Sequence, residues 1–269
     1  MVRDLCMFCS TDDTANIIWF DISYVDTISS QANITRFFAD NNVNIRFGYL
    51  DNTGHAETGK YIIFTQVEKN VDVEKLAANL KGLDVVQDVE YGISSNKMIQ
   101  TVEFPLNLLG ERAVIARATT FVDIIRTLYE NVSQSDGLLM LSGLKGGINA
   151  ARYFKVITTI DESNFKDVLK ELFMATGWGI LDIECDCETM SGRIFVYESF
   201  IADNFKESGR PVCGYMSGYF AGFITEVLGQ TMHVREIRCK SMGHDLCEHS
   251  ISLAPPGAKL EHLLRGEST

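Results

Sequence analysis

Cys213, Glu236, Cys239 and Cys247 constrain this chain more than any other residues, and they read C-x22-E-x2-C-x7-C. Three soft thiolates and one carboxylate are the number and kind of donors that a tetrahedral zinc site takes. The surrounding sequence predicts where each donor sits. Cys213 opens an apolar helix over residues 213–228, Glu236 and Cys239 fall on the strand that follows, and Cys247 starts the next strand after a turn at Gly243. A metal held this way ties a helix to a hairpin. That is a structural role, with no open position for a substrate. The spacing leaves blander readings open. Cysteine often serves as a small buried hydrophobe, Glu236 can be an ordinary surface acid, and C-x7-C is not a common zinc-knuckle spacing. His233, His244 and His249 are near enough in sequence to stand in for Glu236. His244 follows Gly243 in the turn, where solvent exposure already explains it.

A chain of 269 residues has room for two domains, each with its own core. The net charge of -12, with no cluster of Lys and Arg, argues against direct contact with nucleic acid, whose phosphates need a basic face. No run is apolar and long enough for a membrane span, and the opening MVRDLCMFCSTDD lacks the apolar core of a signal peptide. The expected location is therefore the cytoplasm, with the seven cysteines reduced or metal-bound rather than disulfide-paired.

Periodicity divides the chain. Residues 16–24 are rich in β-branched and aromatic residues and predict a strand. Ile34, Phe37 and Phe38 repeat at helical spacing within 29–40, with Ser29 or Ser30 as cap. Val43, Ile45, Phe47 and Tyr49 alternate along a second strand, residues 60–67 form a third, Asp72 caps a helix that Gly82 ends, and residues 85–91 form a fourth strand. The order β-α-β-β-α-β predicts a ferredoxin-like sheet with two helices on one face, and it resembles the ACT regulatory domain. The stretch VDTISSQ lacks the Gly or Pro step of amino-acid-binding ACT domains, so the resemblance points to dimerisation. Residues 93–107 read as a linker with Pro105 at the boundary. The expected domains are 1–96 and 97–254, followed by a tail, 255–269.

The second part predicts helices over 119–132, 137–157 and from Asp161 or Ser163 to Gly177, a hairpin of 178–187 with 193–200, the helix 213–228 and a last hairpin 231–253. Gly143, Gly146 and Gly147 lower helix propensity; they suit a close helix–helix contact and equally suit a break. The segment CGYMSGYFAGFITEVLGQTMHVREIRCKSMGHDLCEHSI, with its G-Y-x-x-G-Y-x-x-x-F helix, R-E-x-x-C strand and G-H-x-x-C turn, resembles the 4-vinyl reductase domain. That domain is related to TRAPP subunits and to the sensor domains of aromatic-responsive bacterial regulators. The resemblance implies an α+β fold from about residue 105 to 254, a structural zinc held by Cys213, Glu236, Cys239 and Cys247, an enclosed pocket for a small apolar or aromatic ligand, and a homodimer.

Candidates for the pocket wall are Phe121, Trp178, Phe195, Tyr197, Phe200, Tyr219, Phe220 and Phe223, since apolar sites are lined by aromatics; the same spacing is also that of ordinary core. The phenol-type sensors hold a ligand hydroxyl with a His and a Trp, and this chain has no His between His55 and His233. Cys185 and Cys187 share a strand face, and Cys6-x2-Cys9 has redox-motif spacing. The chain shows no nucleophile–base motif and no dinucleotide fingerprint. The expected function is non-catalytic small-molecule sensing through an unknown output protein. The alternatives are an accessory of a tetrapyrrole- or aromatic-modifying enzyme and a cysteine-based redox sensor.

Overall fold

The computed structural model describes residues 14–52, 57–94, 105–205 and 208–254. It forms two compact units, Met1–Phe104 and Pro105–Thr269. The expectations for Cys6, Cys9 and the tail lie outside the described residues.

The first unit contains β1 (Ala15–Val25), α1 (Ser30–Asp40), β2 (Asn44–Asp51), β3 (Thr58–Glu68), α2 (Val73–Lys81) and β4 (Val86–Ile93). The strands pair antiparallel in the order β2-β3-β1-β4. This is the ferredoxin-like α+β arrangement expected from the element order. Alternation in β1 sends Ile18, Phe20, Ile22 and Tyr24 into one core with Ile34 and Phe38 of α1 and Leu76 and Leu80 of α2. Ile17 points the other way and packs with Ile62 and Phe64. The Asp72 carboxylate accepts the Lys75 N–H at 3.0 Å, which caps α2 as its sequence predicts.

The second unit opens with a short hairpin, β5 (Asn107–Leu108) and β6 (Glu111–Arg112). Then come α3 (Ala118–Asn131), α4 (Ser135–Ile157), α5 (Phe165–Thr176), β7 (Ile180–Asp186), β8 (Ser191–Tyr197), α6 (Gly214–Leu228), β9 (Met232–Arg238) and β10 (Cys247–Leu253). The sheet order is β7-β8-β10-β9, antiparallel throughout. Its inner face carries Leu181, Ile183, Ile194, Val196, Val234 and Ile251, in one core with residues of α5 and α6. Gly177, in the left-handed region at φ 73°, ends α5.

The glycines of α4 do not break it. Gly143 and Gly147 face Gly218 and Gly222 of α6 in a reciprocal contact. A Cβ on Gly143 or Gly147 would overlap the carbonyl oxygens of Tyr215 and Tyr219; one on Gly218 or Gly222 would overlap those of Met140 and Leu144. Residues four apart share a helix face, so the helices meet backbone to backbone over a full turn. This contact holds α6, and with it Cys213 at its N-terminus, against the body of the unit. Among the described residues no helix is long and apolar enough to cross a membrane.

Candidate metal centre and aromatic cluster

Three chain segments bring the four predicted donors together. Cys213 is the residue before α6, Glu236 lies on β9, Cys239 follows the end of β9, and Cys247 begins β10. Their ligand atoms all lie within 4.8 Å of one another and all four residues are buried. The Cys213–Cys247 and Cys247–Cys239 Sγ separations are both 3.8 Å.

Glu236 and Cys239 are three residues apart, which in a regular strand puts them on opposite faces. Here Glu248 pairs with Arg238 and His249 with Glu236, so Ile237 is an extra residue without a partner in β10. This β-bulge shifts the phase by one residue. Glu236 and Cys239 both turn inward while Ile237 stays exposed. Cys239 thus lies just beyond the strand rather than on it as the sequence predicts.

The segment leading to Cys213 is pinned from two sides. The Tyr129 hydroxyl donates to the Val212 carbonyl at 3.2 Å, and the Arg210 guanidinium lies 4.0 Å from the Tyr129 ring centre. On the other side the Ser208 N–H donates to the Ser241 carbonyl. Hydroxyls and backbone surround the sulfurs: Ser241 Oγ is 3.0 Å from Cys239 Sγ, and the Lys240 N–H donates to Cys247 Sγ at 3.4 Å. The Cys213 N–H donates to Glu236 Oε2 at 2.9 Å. The second carboxylate oxygen, Oε1, is buried with no hydrogen-bond partner.

Without a metal the cluster holds its negative charge on one sulfur. Hydrogen bonds from the other two cysteines hold the Cys239 thiol far below its ordinary value. The same contacts, then burial, push Cys213 up. Burial, then the charge of Cys239, pushes the Glu236 carboxyl up to about 8. A cation held by these four groups would displace the protons they retain.

His249 is fully buried yet stands outside this donor set. Its Nδ1 is 2.9 Å from Ser217 Oγ, and its Nε2 has no partner. Burial lowers its pKa to about 4, so the ring is neutral. His233 and His244 are exposed. None of the three replaces Glu236.

Of the predicted pocket residues, five form one cluster. Trp178 lies 5.6 Å from Phe200 and 5.0 Å from Tyr219, and Phe121 lies 5.5 Å from Phe200. Phe220 joins through Phe173, which stacks on it at 5.1 Å and meets Trp178 at 5.3 Å. Phe173 and Tyr215 belong to the cluster and escape the sequence reading. Tyr215 precedes Tyr219 by one helical turn, which is the signal that could have found it. Phe223 is buried farther along α6 against Phe154, at 6.4 Å. Phe195 and Tyr197 do not join. They alternate with the buried Ile194 and Val196 along β8 and so occupy the outer face, Tyr197 being 44% exposed. Cys185 on β7 and Cys187 just after it are half-buried. Burial, then the neighbouring Cys187, pushes the Cys185 thiol up to about 11, the wrong direction for a reactive nucleophile.

Comparison with known proteins finds a shared fold for the second unit. Residues 193–253 match the family model of the 4-vinyl reductase domain. An uncharacterized protein of Methanocaldococcus jannaschii is 25% identical over 61 residues, which are 23% of this chain and 38% of that protein's length. The phenol-responsive sensory domain of the transcription activator PoxR, solved with phenol, superposes with a TM-score of 0.51 at 19% identity, over 58% of this chain and 83% of that one. The ACT domain of a Chlorobium tepidum GTP pyrophosphokinase matches 29% of this chain and all of its own, at 19% identity and a TM-score of 0.27.

Proposed function

We propose that this chain is a non-catalytic small-molecule sensor whose second unit is held together by a structural zinc ion. The observation that carries the reading is the closed donor set. Cys213, Glu236, Cys239 and Cys247 are all buried and converge on one point. Tetrahedral zinc with Zn–S bonds of about 2.3 Å implies sulfur separations of about 3.8 Å, the value of two of the Sγ pairs. The unpartnered Oε1 of Glu236 supplies a fourth donor that would otherwise be costly to bury. Zinc in this setting supplies cross-linking rather than reaction chemistry. The residues hold α6 to the β9–β10 connection and leave no coordination position for a substrate.

The ligand site in this reading is the aromatic cluster around Trp178, which takes a small apolar or aromatic molecule. The match to the 4-vinyl reductase domain and the fold shared with the PoxR sensory domain support it. A homodimer, which the family resemblance implies, and a separate output protein complete the proposal.

Native mass spectrometry with metal analysis of the same sample tests this reading. The expected result is one zinc per chain and, in the untreated protein, an added small-molecule mass. A metal-free protein whose Cys213, Cys239 and Cys247 titrate as free thiols would overturn it.

The metal-free protein has a predicted pH dependence. The folded value of Glu236, about 8, lies above its ordinary 4.5. Its contribution is complete at low pH and is lost as pH rises through 8. His249 has the opposite sign. Its folded value, about 4, lies below the ordinary 6.5, so its contribution is complete above 6.5 and is lost as pH falls toward 4. Between pH 6.5 and 8 Cys239 opposes Glu236. Its thiol is held far below its ordinary value, so the folded chain has already released a proton that the unfolded chain keeps. Stability from this group rises with pH by about as much as Glu236 takes away. The metal-free fold should therefore change by less than about 1 kcal/mol over that range. Urea melts in chelator check this, and a change of about 2 kcal/mol in either direction over the same interval contradicts it. The zinc-loaded protein should instead gain stability as pH rises over the interval, since metal entry expels protons.

A further inference from the structure

His249 is a polar group that the metal centre does not use and the core does not satisfy. It projects from β10 between Ile194 of β8 and Glu236 of β9. It is fully buried, and its Nε2 has no partner. A buried polar atom without a hydrogen bond is uncommon in a native interior and calls for an explanation.

The bond to Ser217 decides what that atom offers. A neutral imidazole carries one N–H, on one nitrogen or the other. If Nδ1 carried it and donated to Ser217, the Ser217 hydroxyl hydrogen would need its own acceptor and Nε2 would be a bare lone pair. If instead the Ser217 hydroxyl donates to Nδ1, both of those groups are satisfied and one donor remains, the Nε2–H. The second arrangement leaves fewer buried groups unpaired and is the favoured tautomer.

The aromatic cluster leads to this atom. Ring contacts run from the half-buried Phe121 and Phe200 through Trp178, Phe173 and Phe220 to His249, each step between 5.1 and 5.6 Å. This run of rings ends at His249, whose Nε2 has no partner. We propose that Ser217 and His249 form the polar anchor of the ligand site, and that the ligand is an apolar, predominantly aromatic molecule with one hydrogen-bond acceptor, such as a carbonyl oxygen, which receives the Nε2–H.

The inference rests on the sensor reading above and adds the ligand's chemical class. The probes that test it are acetophenone and α-methylstyrene, which have the same shape and differ in C=O against C=CH2. The experiment uses full-length, zinc-loaded, 15N-histidine-labelled protein. NMR should place the His249 proton on Nε2. Acetophenone should shift that resonance and bind about tenfold more tightly than α-methylstyrene, the scale of one buried hydrogen bond left unmade. In His249→Phe the preference should vanish, and in His249→Gln, which keeps an amide donor, it should return in part. Ser217→Ala gives a second reading if His249→Phe does not fold; it should reduce the preference at least threefold. A proton on Nδ1, equal binding of the two probes, or a preference unchanged in these variants overturns the inference and leaves the sensor reading standing. Binding of neither probe also overturns it, and it overturns the sensor reading as well if the purified protein carries no small molecule.

Discussion

If the second unit holds the proposed zinc, replacing Cys239 by serine should remove it and cost more than about 4 kcal/mol, the range reached when a metal site is lost. Cys239 is fully buried, its sulfur is 3.8 Å from that of Cys247, and it carries the charge of the metal-free cluster. Serine keeps the shape but replaces a soft thiolate with a hydroxyl, which is a far weaker zinc donor at neutral pH. The remaining buried donors then lose the cation that offsets their desolvation. Metal content per chain and urea unfolding followed by Trp178 fluorescence, in a Trp19→Phe background, provide the readout. Cys185→Ser is the control. Cys185 is half-buried outside the donor set, so its loss should leave metal content unchanged. A Cys239→Ser protein with a full complement of metal, or one within about 1 kcal/mol of the parent, would refute the assignment.

The second large effect concerns a single methyl group. Gly147→Ala should destabilise the second unit by about 3 kcal/mol, the upper part of the overpacking range. Alanine improves helix propensity by about 1 kcal/mol over glycine, so propensity predicts the opposite sign. Packing wins because the added Cβ meets backbone, the Tyr219 carbonyl and the Phe223 N, and backbone cannot swing aside as a side-chain tip can. The two helices must separate, and every contact between them weakens. Gly137 lies in the first turn of the same helix, and nothing is within 4 Å of a Cβ placed there. Gly137→Ala should therefore be neutral or stabilise by up to about 1 kcal/mol. Thermal melts of the two variants decide the matter. Equal effects at the two positions would mean that helix contact does not set the cost.

Apart from the short β5–β6 hairpin, which the sequence reading missed, the element order of both units was legible in the sequence because it follows from local periodicity. Alternation in β1 and the three-to-four spacing in α1 each need only a few neighbouring residues to express themselves. Caps such as Asp72 and stops such as Gly177 are equally local. The four metal-ligand candidates came from another source: the spacing alone left plain burial open, and the resemblance to the 4-vinyl reductase domain singled out these three cysteines and the glutamate.

Tertiary structure decided what depends on pairing between distant segments. Whether Gly143 and Gly147 break α4 or allow close contact is settled by Gly218 and Gly222, some seventy residues later, which present a matching bare face. Glu236 and Cys239 reach the same side of the sheet only because Ile237 is an extra residue against β10, and that depends on the register of two strands. Phe195 and Tyr197 look like pocket residues by composition, but the phase of β8 turns them outward. His249 reads in the sequence as a spare ligand. Its place beside Ser217, with one nitrogen satisfied and the other not, exists only once α6 has packed on the sheet. The sequence by itself determined which segments are strands, which are helices and which residues can bind a metal, because those properties belong to short stretches of chain. The fold alone determined which faces those residues share and which buried polar atoms are left unmatched, because both depend on how distant segments meet.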